Sequence, residues 1–232
     1  MKKLLVVVSC LGLLATARGA EVQGQKPVPL VGESFRFVPG AWAVYFVKEI
    51  RSNTTSTMYF AVTEETTRGR TPACWMEIGV ESGTNPAVVT RMLVEKTPQG
   101  PGRAFAAVVQ IEGFDPFAIP GRYLKSDAEE RVGDFRPLEL TVPASKEKMT
   151  WMGKEILACK VEARDAEGRR ADVIFSEDLP PLGLVSVESP DVEMKLEDWG
   201  TGAKTRISGK PVGFYRWLWR QVLHAGQSPA AP

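Results

Sequence analysis

The stretch Lys154–Trp199 leaves the chain little choice of fold. It reads KEILACKVEARDAEGRRADVIFSEDLPPLGLVSVESPDVEMKLEDW, four short extended runs in a row, each closed by a turn signal. In the first run Leu157, Cys159, Val161 and Ala163 fall on one side, and Ile156, Ala158, Lys160 and Glu162 on the other, because successive strand side chains alternate. Asp165-Ala166-Glu167-Gly168 is a turn signal, with Gly168 able to take a positive φ. Arg169–Ser176 resumes the extended pattern. Leu179-Pro180-Pro181-Leu182-Gly183 cannot stay in a ladder, since two prolines lack the N–H donor. Leu184–Glu188 is a third run, and Val192, Met194 and Leu196 alternate with Glu193, Lys195 and Glu197 in a fourth. Consecutive runs with such short links are antiparallel neighbours. The stretch predicts a four-strand meander.

Earlier in the chain the same grammar repeats. Trp42, Val44, Phe46 and Ile50 share one face of a run, with Ala43, Tyr45 and Val47 on the other. Further runs are expected over Ser56–Glu64, Ala73–Val80, Ala87–Thr97 and Phe105–Ile111, each broken by polar or glycine-rich loops. No amphipathic helix of the βαβ kind separates them. The fold class expected is mainly β: a curved antiparallel sheet or half-barrel with a few short helices and a C-terminal helix. Gly113–Val142 is the least legible part. Phe114–Gly121 reads as an apolar-tipped loop, Ser126–Arg131 as one or two helical turns, Phe135–Leu140 as a strand and Pro143–Lys148 as a break.

The start of the chain follows a different pattern. Met1-Lys2-Lys3 is a basic n-region, Leu4–Ala15 a short apolar run, and Ala15-Thr16-Ala17 or Ala17-Arg18-Gly19 offers small residues for cleavage, which together read as a secretory signal peptide over residues 1–20. Val7-Val8-Ser9-Cys10 resembles a lipoprotein acylation site, but it sits inside the apolar run, so anchoring at Cys10 is not expected. An extended lead-in over 21–40, a β domain over 41–210, a helix over 211–226 and a disordered tail over 227–232 complete the organisation. The expected location is outside the cytoplasm, in the periplasm or envelope of a bacterium.

Losing residues 1–20 removes Lys2, Lys3 and Arg18 and no acid, so 29 basic against 28 acidic residues become 26 against 28. That balance speaks against a nucleic-acid partner. The charge is unevenly spread. From Trp199 onward there are Lys204, Arg206, Lys210, Arg216 and Arg220 and no acid, which leaves 21 basic against 28 acidic residues between Glu21 and Asp198.

Beyond the leader two cysteines remain, Cys74 and Cys159, each on an apolar side of its run. In an oxidising compartment they are candidates for a disulfide; the alternative is two separately buried thiols, since cysteine packs as a small hydrophobe. Catalytic chemistry finds little support. The one histidine, His224, lies near the chain end with no orienting carboxylate beside it. One His and two Cys are too few for a zinc site, so no metal is expected. Gly200-Thr201-Gly202-Ala203-Lys204-Thr205 fits neither the Walker nor the dinucleotide spacing and reads as a turn. The doublets Glu64-Glu65, Glu129-Glu130 and Glu177-Asp178 read as solvated surface. A hydrolase with an unrecognised site is the weakest reading, and the chain is expected to be neither an enzyme nor a cofactor binder.

The C-terminal run GFYRWLWRQVLH has helical spacing. Phe214, Leu218 and Val222 recur every four residues, Arg216 and Arg220 do the same, and Pro211 stands just ahead, where proline is tolerated. Arginines beside tryptophans suit contact with an anionic membrane or a partner, through Phe214, Arg216, Trp217, Trp219 and Arg220. The alternative is a helix packed on an open sheet face, which the near-encirclement by apolar residues favours.

The order of leader, long antiparallel strands and a late strand–PPLG–strand unit is similar to bacterial proteins of the lipoprotein-localisation superfamily, the LolA/LolB-like unclosed barrels. Gly153–Val161, Ala171–Glu177, Leu179–Val185 and Val192–Gly200 carry the resemblance. It implies a curved sheet whose concave apolar face takes acyl chains or a lipoprotein. Trp42, Phe46, Phe60, Met76 and Leu93, large apolar residues on strands, are the lining expected for such a ligand. The rival expectation is a non-enzymatic interaction or structural protein of the envelope that uses the basic aromatic tail. No oligomeric state is read from the sequence.

Overall fold

The computed structural model of the chain describes residues 35–83, 85–98, 100–124, 139–140, 146–164 and 170–225. The leader, most of the lead-in, the helical turns expected at 126–131 and the tail from 227 lie outside the described residues.

Thirteen strands make one sheet among the described residues. They are β1 (Trp42–Glu49), β2 (Thr54–Arg68), β3 (Thr71–Ser82), β4 (Asn85–Thr97), β5 (Gly100–Ile111), β6 (Phe117–Ala118), β7 (Glu139–Leu140), β8 (Lys146–Trp151), β9 (Lys154–Arg164), β10 (Arg170–Ser176), β11 (Leu184–Glu188), β12 (Val192–Gly200) and β13 (Val212–Gly213). Twelve run in the order β13-β6-β5-β4-β3-β2-β1-β12-β11-β10-β9-β7, and β8 pairs with β9 beside that path. The two ends of the order do not pair, so the sheet does not close. Every pairing is antiparallel except β13 with β6. Among the described residues one α-helix, α1 (Phe214–Ala225), follows β13, and a 3-10 turn covers Gly121–Tyr123.

The expected meander is present as β9 to β12, each strand paired with the next. It continues backward through β8, whose two-residue link to β9 is Met152-Gly153. Both have positive φ, 49° and 77°, as a hairpin turn matched to strand twist requires. The break expected at Pro143–Lys148 therefore overlaps a strand that begins at Lys146. Two of the loops between the earlier runs are also shorter than expected. β2 and β3 continue to a turn at Gly69-Arg70, and β5 begins already at Gly100.

Two meanders, β1–β6 and β8–β12, meet where β1 pairs with β12 over eight residues, from Trp42↔Gly200 to Glu49↔Val192. The second meander rolls on itself. Trp151 Nε1 on β8 donates to the Leu196 carbonyl on β12 at 3.2 Å, although four strand spacings in a flat sheet are about 19 Å. Lys154 Nζ likewise sits 4.3 Å from the centre of the Trp199 ring.

One continuous apolar core results. Its inner-face members include Tyr45 on β1, Phe60 and Val62 on β2, Met76 on β3, Val109 on β5, Val173 on β10 and Met194 and Leu196 on β12. The Pro-Pro-Leu-Gly break is part of this core and not a surface link. Leu179 and Leu182 are buried. Gly183 N donates to the Leu179 carbonyl, Ser176 N to that of Gly183, and Arg36 N to that of Pro181. These bonds let a segment unable to join the ladder satisfy its backbone while filling the core. Phe35, packed on Phe37 and Phe60, joins the same core.

Leu182→Ala is expected to lower stability by about 2–5 kcal/mol through the cavity it leaves, read as a fall in the denaturation midpoint with an unchanged m-value. A loss under half a kcal/mol, the level of a surface substitution, would show that the loop is not part of the core.

Candidate functional site

The five residues expected to line a ligand site do not come together. Phe60 and Met76 lie on the inner face, buried in the core. Trp42 and Phe46 face outward, because the residues pairing across β1 and β2 share a face and Phe60 pairs with Ala43. Leu93 pairs with Trp75 and so lies on the outer side too. The strands are apolar on both faces, so alternation separates the two sets without saying which looks inward.

Bulges complicate the reading further. The register slips between Val44 and Tyr45 on β1, opposite Glu197, so Asp198 faces outward while Leu196 faces the core. A second slip on β2 passes over Thr63.

What covers the outer face is the segment that follows β12. Residues 201–211 take no regular secondary structure and cross the sheet as a strap. At β1, Trp42 Nε1 donates to the Thr201 carbonyl at 3.2 Å and Ala203 N to the Gly40 carbonyl at 2.8 Å. At β3, Glu77 accepts the Thr205 hydroxyl at 2.7 Å and the Arg206 N–H at 2.8 Å. At β5, Ser208 N donates to Gln110 Oε1 at 2.8 Å, and Gln110 Nε2 returns a bond to the Ser208 hydroxyl at 3.1 Å. The strap ends at β6, where Val212 N bonds the Pro116 carbonyl and β13 pairs in parallel. The strap thus carries the chain from β12, beside β1, across the outer face to β13 beside β6.

Glu77 is the centre of this arrangement. It is 0% exposed, and a carboxylate so placed needs charge-assisted bonds to offset its desolvation. The strap supplies two. Arg206 lies flat nearby, its guanidinium 4.4 Å from the Tyr59 ring centre and one nitrogen 3.5 Å from Glu81. Gly79 makes room for it, since a Cβ there would stand 3.3 Å from that nitrogen. The segment expected to be a mere turn after β12 is thus the start of the strap. Glu77 went unnoticed in the sequence; its signal was one acid in the apolar run Cys74–Val80.

At the far end of the strap, α1 is split between two environments. Trp217 is 2% exposed and lies 4.3 Å from Phe117 and 6.3 Å from Phe114, ring centre to ring centre. Phe214 is half-buried, 5.8 Å from Phe117. These two residues, expected at an outside contact, hold the helix on the sheet instead. Phe114–Gly121, expected to be an apolar-tipped loop, supplies their packing partners. Arg216, Trp219 and Arg220 remain exposed, with Trp219 at 67%. Arg220 pairs with Asp115 at 3.2 Å. The side chain of His224 lies outside the described residues.

The acidic doublets are tied up in ion pairs. Glu64 meets Arg91 at 3.3 Å, Glu65 meets Lys96, and Glu177 meets both Arg36 and Lys146. Asp178 accepts the Leu157 N–H; Glu129-Glu130 lies outside the described residues. Cys74 and Cys159 are both free and buried, so of the two alternatives the structure has separate thiols and no bridge. Burial pushes the Cys74 thiol up to about 12 and raises the Tyr45 phenol as well.

No protein-family model matches the chain, and no curated protein matches it. What the fold defines is therefore a class: a large, mainly antiparallel open sheet with a strapped outer face and one docked C-terminal helix.

Glu77→Ala is expected to cost about 3 kcal/mol, from two lost bonds to a charged group and the donors left behind, while Glu77→Gln keeps an acceptor and costs less. Equal losses in urea denaturation would place the effect in packing alone. Cys74 stays neutral in the folded chain at pH values where an unfolded thiol, ordinarily near 9.0, ionises. Stability is thus expected to fall as pH rises from 9 toward 12, and Cys74→Ala is expected to flatten that slope. A slope unchanged by the substitution would assign the loss to other groups.

Proposed function

We propose that the protein is an exported, non-enzymatic binding protein of the bacterial envelope, and that its working surface is the α1 end of the sheet. The observation that carries this reading is the division of α1. One side is anchored through Trp217, while Tyr215, Arg216, Trp219 and Arg220 stay in solvent. An exposed tryptophan beside arginines on a firmly held helix is the composition of a contact surface.

The open, mainly antiparallel sheet agrees with the resemblance to the lipoprotein-localisation superfamily, and a lipid or lipoprotein client fits within the proposal. The client is placed outside the concave face. That face is occupied by Tyr45, Phe60, Leu179 and Leu182 of the chain itself, and the residues expected to line it are divided between two faces. The leader pattern supports export.

A photo-crosslinking side chain placed at residue 219 in cells is expected to give adducts. The same group at residue 152, an exposed position on the β8–β9 hairpin at the other end of the strand order, is expected to give none. Absence of adducts at 219 would sink the proposal, as would equal labelling from both positions.

A further inference from the structure

The exposed half of α1 has an aromatic edge and a basic edge. Tyr215 and Trp219 stand one turn apart, 48% and 67% exposed. Arg216 and Arg220, also one turn apart, are exposed on the adjoining edge. In space this surface extends onto the 3-10 turn at Gly121–Tyr123. The hydroxyls of Tyr123 and Tyr215 lie 3.5 Å apart. The guanidinium of Arg122 is 4.9 Å from the Tyr123 ring centre and 5.2 Å from that of Tyr215. Stacked between the two rings, Arg122 is held at the level of the aromatics. Three amphipathic rings and an arginine are therefore organised before any partner arrives, which lowers the ordering cost of binding.

The charge points one way. The chain from Trp199 onward holds five basic residues and no acid, and of these Arg206 and Arg220 are committed to Glu81 and Asp115. Lys210 and Arg216 are exposed, and Arg122 joins them from the 3-10 turn. The exposed apolar component is tryptophan and tyrosine, the two side chains enriched at the lipid headgroup level. Lysine, by contrast, is depleted at protein interfaces, and Lys210 is one of these cations.

Resting on the contact surface proposed above, we infer that the α1 end docks onto an anionic phospholipid bilayer. Tyr123, Tyr215 and Trp219 enter the headgroup layer, and Arg122, Arg216 and Lys210 meet lipid phosphates. The buried Trp217 side keeps the helix on the sheet, so the bilayer is met by the folded protein and not by a released helix.

The test is flotation of the purified protein with phosphatidylcholine vesicles, with and without phosphatidylglycerol. Binding is expected to be about tenfold or more tighter with phosphatidylglycerol present and to weaken as salt is raised. At about fivefold for each cation near an anionic surface, the pair R122Q/R216Q is expected to weaken binding by more than about tenfold. Trp219→Ser is expected to weaken it as well. Met152→Ser, another exposed apolar position, is expected to leave it unchanged, and circular dichroism checks that each variant is folded. Failure to float, equal binding to both vesicle types, or binding retained by both patch variants would overturn the bilayer as partner. Crosslinks from residue 219 to a protein, together with failed flotation, would leave the contact surface standing and remove only the bilayer.

Discussion

The pairing of β1 with β12 is the constraint on which the rest of the structure depends. β1 starts the first meander and β12 ends the second, so their eight paired residues turn two ribbons into one sheet. Side-chain fit supports the seam. Gly200 stands opposite Trp42, where an added Cβ would lie 2.9 Å from the indole. Tyr45 reaches past β12 to donate its hydroxyl to the Leu184 carbonyl on β11 at 3.2 Å. The bulge at Glu197 switches which residues look inward, so that Met194 and Leu196 join the core while Asp198 faces the strap side. Without the seam each ribbon would present an unpaired edge beside an uncovered apolar face.

The strap depends on that seam in turn. It leaves β12 beside β1 and reaches β6, and its polar stations are spaced along the outer face at β1, β3 and β5. It carries the basic C-terminal part of the chain over an acidic body. Part of the charge asymmetry is therefore satisfied within the molecule, at Glu81 and Asp115. Of the cations left in solvent, Lys204 lies on the strap, while Lys210 lies just ahead of α1 and Arg216 on it, beside exposed Tyr215 and Trp219. Fold and contact surface are linked here: the same strap that brings β13 beside β6 delivers α1 to the open end of the sheet.

The strands were legible because alternation and turn chemistry act locally. Val192, Met194 and Leu196 need only their neighbours Glu193, Lys195 and Glu197 to announce a strand. The α1 helix was legible for the same reason, from Phe214, Leu218 and the arginine pair. The strap had no such signature. Its bonds join Thr205 to Glu77 and Ser208 to Gln110, residues about a hundred or more positions apart in the chain, and no period within the segment reports them. Trp42, Phe46 and Leu93 cannot be assigned to the inner or the outer set from sequence because both faces of their strands carry apolar residues.

The amino-acid sequence by itself determined the all-β character, the late meander, the helix after Pro211 and the opposition of acidic body to basic tail. These follow from period, turn residues and charge, which require no knowledge of distant partners. Only the tertiary structure decided that β1 meets β12, that Leu179 and Leu182 are core, that Glu77 anchors a strap, and that Trp217 is buried while Trp219 is not. Each of those outcomes depends on which surfaces meet after the chain has folded back, and two tryptophans two residues apart on one helix are separated only by the face that the sheet happens to cover.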